Sequence, residues 1–581
     1  MRSLGATMLS REEMRVNYPH RSFSVGWRVE VSLSERSSRK FDVLLSLEFP
    51  FSPARIALVD RPDFLTWPHL ESDGLICLLP DATPVDFTQA LESTQLLLGS
   101  AVDLILALER GEYLDHFRQE FLTYWRQSGE LGTKFYSILK GERFESRLIK
   151  SWVGKTAVYV GESTSDVSGW LTNRFGSKPQ FDRCDAALFL WLGEPLLPCE
   201  YPKNSQDMLS LVRRANAEAL LRQLCLDSLM RIPVVLGFLT EHGVCLAGLM
   251  MYTSAAKSKH HRSGPAMGNG FRANRAPALV RVNQFLASMG KVSPSMVERV
   301  DHDWVHGRGA DARQSILKSS NVAIFGCGSL GSQVAHQLSM AGVGHLFLVD
   351  PQILSSSNTG RHHLGARFVD KPKATSLASE LQADFPHLSI RGFQMEWQEF
   401  HRVYLDYFNA CSLVISMTGD WNSEAFLNSL HLQSRDRQDV LYGWTEMQAC
   451  AGQAVLISAV GGCLACHFDA SGNAERQLTR PSGKPQPQEP ACGATFQPYG
   501  PVELSSSVGL ISSLALNSLL LDSKSAVHHM WKGSTVLLEE AGGSWNTELL
   551  REHSAMHQDN VQLRTDWKIS SDCPICGGNE R

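Results

Sequence analysis

A chain of 581 residues, 43% hydrophobic and 20% charged, has room for roughly three or four domains of about 150 residues each and the composition of a globular protein. A formal charge of -5 offers no electrostatic footprint for nucleic acid, and the opening MRSLGATMLSREEMRV lacks the apolar stretch of a secretory leader, so neither is expected. Thirteen cysteines, in a chain read as cytoplasmic, favour metal binding or catalysis over a disulfide framework.

Phe23, Val25, Trp27, Val29, Val31 and Leu33 alternate with mostly polar neighbours, the period-two pattern of a half-buried strand. A polar turn at 34–39, a strand at 41–49, the turn Pro50-Phe51-Ser52-Pro53 and a strand at 55–59 predict an antiparallel meander. Two helices follow Pro84, one with Leu91, Leu98, Val102 and Ile105 on a stripe, the other with Phe117, Phe121 and Trp125; they close an α+β domain near residue 150.

From 151 to 300 the signals are a strand at 186–191, a helix at 207–230 and a long apolar run at 233–251, read together as an α/β linker domain. Glu241, His242 and Gly243 interrupt the run, which makes it a hairpin of buried strands instead of a span, so no membrane is expected. The tract 254–277 reads as a mobile surface loop, and His260 and His261 within it have no ligand cluster around them. From 301 onward, strands at 322–325, 346–349 and 413–416 alternate with helices, as in a doubly wound, mostly parallel sheet. A polar tract at 471–490 is expected to be a mobile connection.

The stretch NVAIFGCGSLGSQVAHQLSMAGVGHLFLVD, from Asn321 to Asp350, is the most informative. A strand runs into Gly326, Gly328 and Gly331, a helix follows, and a second strand ends on an acid. The glycines allow a tight turn and close approach to phosphate, and the helix N-terminus presents unpaired amides to the anion. Such a fingerprint first suggests a dinucleotide oxidoreductase, but Asn358, Arg361 and Lys373 follow within one polar connection. Two cations and an amide exceed what a dinucleotide needs and suit ATP attacked at its α-phosphorus. Asp420 follows the strand at 413–416, at the edge where open sheets bind ligands, and its carboxylate can hold Mg2+.

In order, these residues resemble the ThiF/MoeB and ubiquitin-activating adenylation family. The resemblance implies a Rossmann-like adenylation domain over 301–581, with Asp350 on the ribose, Asn358, Arg361 and Lys373 on the phosphates and Asp420 on magnesium. It also implies a homodimer in which a basic residue completes the site, Arg308 in preference to Arg313. Gln352 departs from the pattern, since many members carry a second acid there. The pairs Cys463/Cys466 and Cys573/Cys576 have zinc's two-residue spacing, but the distance between pairs leaves a shared site open on spacing alone. The resemblance implies one structural Zn2+ bound by all four.

Cys492 lies in Pro490-Ala491-Cys492-Gly493-Ala494, after the polar tract. An isolated thiol is often a buried structural residue, but location and resemblance make Cys492 the nucleophile that takes the acyl group from the adenylate as a thioester. Cys77 lies in Trp67-Pro68-His69-Leu70-Glu71-Ser72-Asp73-Gly74-Leu75-Ile76-Cys77-Leu78. With the preceding meander and the following helices, this resembles a ubiquitin-conjugating domain over roughly residues 1–150, which implies that Cys77 is the second thioester site. An apolar strand around a core cysteine is the competing reading. The usual His-Pro-Asn is absent, leaving His69 to donate a hydrogen bond or shuttle a proton and Asp73 to orient the incoming amine, or both as polar turn residues.

A conjugating-like domain (1–150), a linker (151–300) and an adenylation domain (301–581) resemble the bacterial fused ubiquitin-transfer enzymes that accompany cGAS/DncV-like nucleotidyltransferases in CBASS antiphage operons. That resemblance implies ATP-dependent activation of the nucleotidyltransferase C-terminus, passage from Cys492 to Cys77, and amide formation with an acceptor amine that the sequence does not name. The alternatives are a sulfur-carrier protein adenylyltransferase, which would use the same nucleotide site without Cys77, and a nucleotide-binding scaffold.

Overall fold

The structure, a computed structural model, describes residues 5–577 other than 35–36, 80–82, 85, 142, 227–230, 242, 254–288, 309–310, 435–437, 470, 482–485, 488–494, 497–498 and 522–524. The chain divides into two compact units, residues 1–164 with 184–298, and residues 165–183 with 299–581.

In the first unit the predicted meander is a four-stranded antiparallel sheet of Thr7–Met8, Phe23–Ser34, Ser37–Ser46 and Arg55–Leu58. Alternation places Val29, Phe41, Val43, Ile56 and Leu58 on one face, where Ala101, Ile105 and Leu108 of the helix Ala90–Glu109 cover them. Leu91, placed by its spacing on that stripe, is instead 63% exposed, because the helix approaches the sheet with its C-terminal turns. Phe87–Glu109 is long and apolar enough by composition to cross a membrane, with 22% of its apolar window buried.

The expected second helix is two short ones, His116–Gln119 and Phe121–Gln127. Phe121 and Trp125 leave the meander and pack with Tyr201 and Phe238, and the Trp125 indole N–H donates to Ser295 O at 3.1 Å. They cover a closed seven-stranded barrel, in place of the α/β linker expected between 151 and 300. Around the barrel run Gly243–Thr253, Met289–Arg299, Lys134–Ser137, Ala157–Gly161, Arg147–Val153, Asp185–Gly193 and Arg231–Thr240. The run at 233–251 is the predicted hairpin, and its continuous apolarity has a physical cause. Alternate residues Val235, Leu246 and Met250 join a cluster with Phe135 and Val158, while Val234, Leu236, Ala247 and Leu249 pack beneath the helices Ser205–Arg214 and Glu218–Leu226, so both faces are buried. These two helices replace the single one expected at 207–230; the break falls at Asn216, which adopts a left-handed φ of 50°.

The second unit centres on an eight-stranded sheet ordered Ser389–Phe393, His345–Val349, Asn321–Phe325, Leu413–Ser416, Asp439–Thr445, Ala451–Ile457, Val527–Lys532 and Val561–Asp566. The first five strands are parallel and the last three antiparallel. Ile324, Leu348 and Ile415 face a layer with the helices Ser329–Ala341, Lys373–Asp384 and Pro501–Leu520, while Phe325, Val349 and Val414 face Trp397, Phe400 and Leu427. The tract at 471–490 is not wholly a loose connection. Thr479–Pro481 pairs with Gly543–Trp545, and the buried Glu446 carboxylate accepts the amides of Leu478 (2.9 Å) and Thr479 (2.6 Å). The tract at 254–277, with His260 and His261, lies outside the described residues.

Candidate functional site

At the C-terminal edge of the parallel strands, Asn321–Phe325 delivers the chain into the glycine turn. Gly326 has φ +85°, and a Cβ there would meet Met417 O at 2.6 Å; a Cβ on Gly331 would meet Gly326 O at 1.9 Å. Packing therefore demands both glycines. Gly328, the N-cap of the helix Ser329–Ala341, would meet nothing within 4 Å, so its missing side chain leaves the first-turn amides open to an anion.

Side chains distant in sequence brace this turn. One Asp350 carboxylate oxygen accepts the Cys327 N–H (2.7 Å) and the other the Gln352 N–H (2.7 Å), so Asp350 ties the turn to its own strand end. His362 is buried, donates from Nε2 to Cys327 O (2.7 Å) and accepts the Leu364 N–H at Nδ1 (3.0 Å). Those bonds fix its tautomer, and burial lowers its pKa to about 4, so it is neutral. Cys327 is fully buried, and burial raises its thiol pKa well above the ordinary value, which suits a structural role.

The cations stand at the same edge. Lys373 begins the helix Lys373–Asp384, is 6% exposed, and donates to Gln352 Oε1 at 2.7 Å. The amide at Gln352 holds the ammonium without neutralising it, as an acid there would. The Arg361 guanidinium lies over the Tyr499 ring at 4.8 Å, and the Tyr499 hydroxyl pairs with Ser329 Oγ at 2.9 Å. Neither Tyr499 nor His362 is singled out by the sequence; no local spacing joins Tyr499 to a residue 170 positions earlier. Asn358 Oδ1 accepts the Ser355 N–H (3.1 Å) within its own turn.

Asp420 is exposed beyond the end of Leu413–Ser416 and caps the helix Trp421–Gln433 by accepting the Asn422 N–H at 3.0 Å. Behind it, Glu424 accepts the hydroxyls of Thr418 (3.1 Å) and Ser416 (3.3 Å), and burial raises its carboxyl pKa to about 7. Arg308 closes the helix His302–Gly307 in a left-handed conformation with its side chain exposed, and Arg313 is held by Asp311 at 2.7 Å.

Cys463, Cys466, Cys573 and Cys576 converge, with their sulfurs within 4.8 Å of one another and neighbouring pairs 3.5–3.9 Å apart. A tetrahedron of thiolates at about 2.3 Å from zinc has edges of about 3.8 Å, so the four sulfurs fit structural Zn2+ and leave no open position. The Trp567 indole N–H on Cys463 O (2.8 Å) and Asn428 Oδ1 under the Leu464 N–H (2.9 Å) orient the loop that carries the first pair.

In the first unit Cys77 is exposed while Leu75 and Ile76 are buried; the expected strand is reduced to isolated bridges at Leu75 and Ile76, which anchor the segment and leave Cys77 outside the core. The Cys77 N–H donates to His69 O (2.8 Å), and Leu70 and Ile76 form an antiparallel bridge beneath. His69 sits at a left-handed φ of 60°. Its N–H donates to Tyr124 Oη (2.9 Å), whose own hydroxyl donates to Glu120 Oε2 (2.9 Å). His69 Nε2 lies 2.7 Å from His116 Nδ1, and burial lowers the His69 pKa. Asp73, the other candidate, is held by Arg21 at 2.9 Å and accepts the Leu75 N–H, a turn role. Cys492 lies outside the described residues.

Residues 305–527 match the ThiF family and residues 4–132 match prokaryotic E2 family B. The chain thus joins a ThiF domain to a prokaryotic E2 family B domain. Its relatives include the "ATP-dependent ubiquitin transferase-like protein Cap2" of Pseudomonas aeruginosa, 29% identical over 197 residues, which are 33% of this chain and 34% of that protein. Another is the molybdopterin-synthase adenylyltransferase of Escherichia coli, 40% identical over 78 residues, 13% of this chain and 31% of that one. The chain thus spans about a third of the length of these curated relatives. Among solved structures, E. coli MccB aligns at 15% identity with TM-score 0.31, over 46% of this chain and 69% of that one.

Proposed function

We propose that the chain is an ATP-dependent enzyme that activates a protein's C-terminal carboxylate and joins it to an amine. The observation that carries this reading is Cys77, exposed next to a bridged, buried segment in the same chain as a glycine turn with open first-turn amides and two cations at its edge.

In the proposed course the carboxylate attacks the α-phosphorus of ATP and pyrophosphate leaves. The amides after Gly328, with Arg361 and Lys373, hold the phosphate charge, and Asp350 positions the ribose end while tying the turn. Asp420 would hold Mg2+, which when bound supplies further charge neutralisation on the phosphates. The Cys492 thiolate displaces AMP from the acyl adenylate, the Cys77 thiolate takes the acyl group by exchange, and an amine takes it from Cys77 as an amide. Each thioester preserves the activation, so only the first step consumes ATP. The four-cysteine site would hold Zn2+ as a clasp on the C-terminal segment. The working assembly is a homodimer with Arg308 completing the partner's nucleotide site. The passenger is the C-terminus of a cGAS/DncV-like nucleotidyltransferase, acting in the cytoplasm, where thiols stay reduced.

The test incubates the full chain with Mg-ATP and such a nucleotidyltransferase, followed by nonreducing electrophoresis. Cys77→Ala should accumulate a reducible adduct at Cys492 without amide product, and Cys492→Ala should form neither. Unchanged product transfer in Cys77→Ala would instead favour a sulfur-carrier adenylyltransferase, the reading that the short molybdopterin-synthase adenylyltransferase match keeps in view.

A further inference from the structure

Four polar side chains beneath Cys77 form one directed chain, and three of them lie on the short helical segment from 116 to 127 that no sequence motif marks. The Tyr124 hydroxyl has a single proton. Since it accepts the His69 N–H, that proton goes to Glu120. Glu120 Oε2 stands 3.8 Å from His69 Nδ1, which favours the tautomer carrying its proton on Nδ1. His69 Nε2 is then an acceptor, and the 2.7 Å contact requires His116 Nδ1 to be the donor. The remaining nitrogen of His116, Nε2, is left with its lone pair available.

This arrangement is held in place at a cost. A left-handed backbone at a histidine is disfavoured by roughly 1–3 kcal/mol, and here it turns the His69 carbonyl to the Cys77 N–H and its own N–H to Tyr124. Tyr124 is close enough to Cys77 that a thiolate there raises the phenol's pKa, after burial and Glu120. Leu114 and Phe117, near His116 in the chain, join Phe64, Leu65, Thr66 and Tyr201 in lining a neighbouring cleft of about 870 Å³.

We propose that His116 is the general base of the amide-forming step, with His69, Glu120 and Tyr124 as positioning residues that set its tautomer. The proposal rests on the thioester reading of Cys77. The amine nitrogen attacks the thioester carbonyl, the C–N bond forms and the C–S bond breaks. Cys77 leaves as thiolate, and the amine proton passes to His116 Nε2. The imidazolium formed is stabilised through His69 by Glu120, then gives its proton to the Cys77 thiolate or to solvent. The groups facing the pair are Glu120, Tyr124 and Tyr113.

The test needs no native passenger. The full chain is acylated at Cys77 by exchange with a fluorescent Gly-Gly peptide thioester, with Cys77→Ala as background, and the label's discharge to free lysine or to hydroxylamine is followed. Hydroxylamine is already unprotonated at neutral pH, and the more acidic ammonium it forms on attack gives its proton to water, so its discharge does not depend on a protein base. His116→Gln should load like the native chain and discharge to lysine about tenfold or more slowly near neutrality, recovering as pH frees the amine, with hydroxylamine discharge unchanged. Glu120→Gln and Tyr124→Phe should show smaller losses of the same pattern. Equal lysine discharge in His116→Gln, or equal losses with both nucleophiles, overturns the assignment while leaving the thioester reading intact. A native chain that takes no label at Cys77 removes both.

Discussion

The nucleotide turn and the Cys77 site are built by opposite means. The turn is a contiguous run whose function lies in backbone amides, and its glycines are set by what a Cβ would strike. The Cys77 site is assembled from residues 69, 77, 116, 120 and 124, brought together by a bridge, a left-handed residue and two short helices. A site of the first kind should fail all at once when its backbone is forced, and one of the second should lose activity in graded steps.

The sharpest contrast lies within the turn. Gly331→Ala places a methyl 1.9 Å from a carbonyl oxygen and should cost about 3 kcal/mol and abolish ATP–pyrophosphate exchange. Gly328→Ala, with open space at its Cβ, should keep the melting temperature and raise only the KM for ATP. Equal behaviour of the two would break the account of the turn. Lys373→Met should lower adenylate formation about 10²-fold, measured by pyrophosphate exchange. Gln352→Glu, which places a carboxylate on the same ammonium, should raise the KM for ATP about tenfold without unfolding the chain.

Glu424 provides a pH handle behind the nucleotide edge. Its folded pKa, raised by burial to about 7, means that the neutral acid stabilises the fold at low pH and that this contribution is lost as pH rises through 7. Denaturant unfolding from about pH 4.5 to about pH 8 should show a loss of about 2–3 kcal/mol that Glu424→Gln removes. A smaller effect is expected at the cysteine cluster. Chelation or Cys573→Ser should lower the melting temperature by several degrees and leave pyrophosphate exchange within about twofold, since the clasp holds the tail and not the phosphates.

The sequence revealed most where chemistry follows local spacing. The glycine turn, the parallel strands and the hairpin at 231–253 all appear in the structure, while the convergence of Cys463, Cys466, Cys573 and Cys576 is left open by their spacing and implied only by the family resemblance. It revealed least where tertiary packing decides. Leu91 keeps helical spacing but lies beyond the sheet, Glu446 pins a tract too polar to suggest order, and barrel closure depends on pairings between strands far apart in the chain. At the sites, His362 and Tyr499 brace the nucleotide turn from positions that no motif links to it. His69 was visible beside Cys77, but its partners His116, Glu120 and Tyr124 were hidden because their relation to it exists only in three dimensions.

The central claim is that Cys77 carries an acyl group activated at the glycine turn of the second unit. Intact mass and peptide mapping of the full chain, given Mg-ATP and a cGAS/DncV-like nucleotidyltransferase under nonreducing conditions, test it directly. The account predicts a passenger on Cys77 that requires ATP, is released by thiol and disappears in Lys373→Met. A Cys77 that stays unmodified while ATP is consumed and product is formed would contradict it.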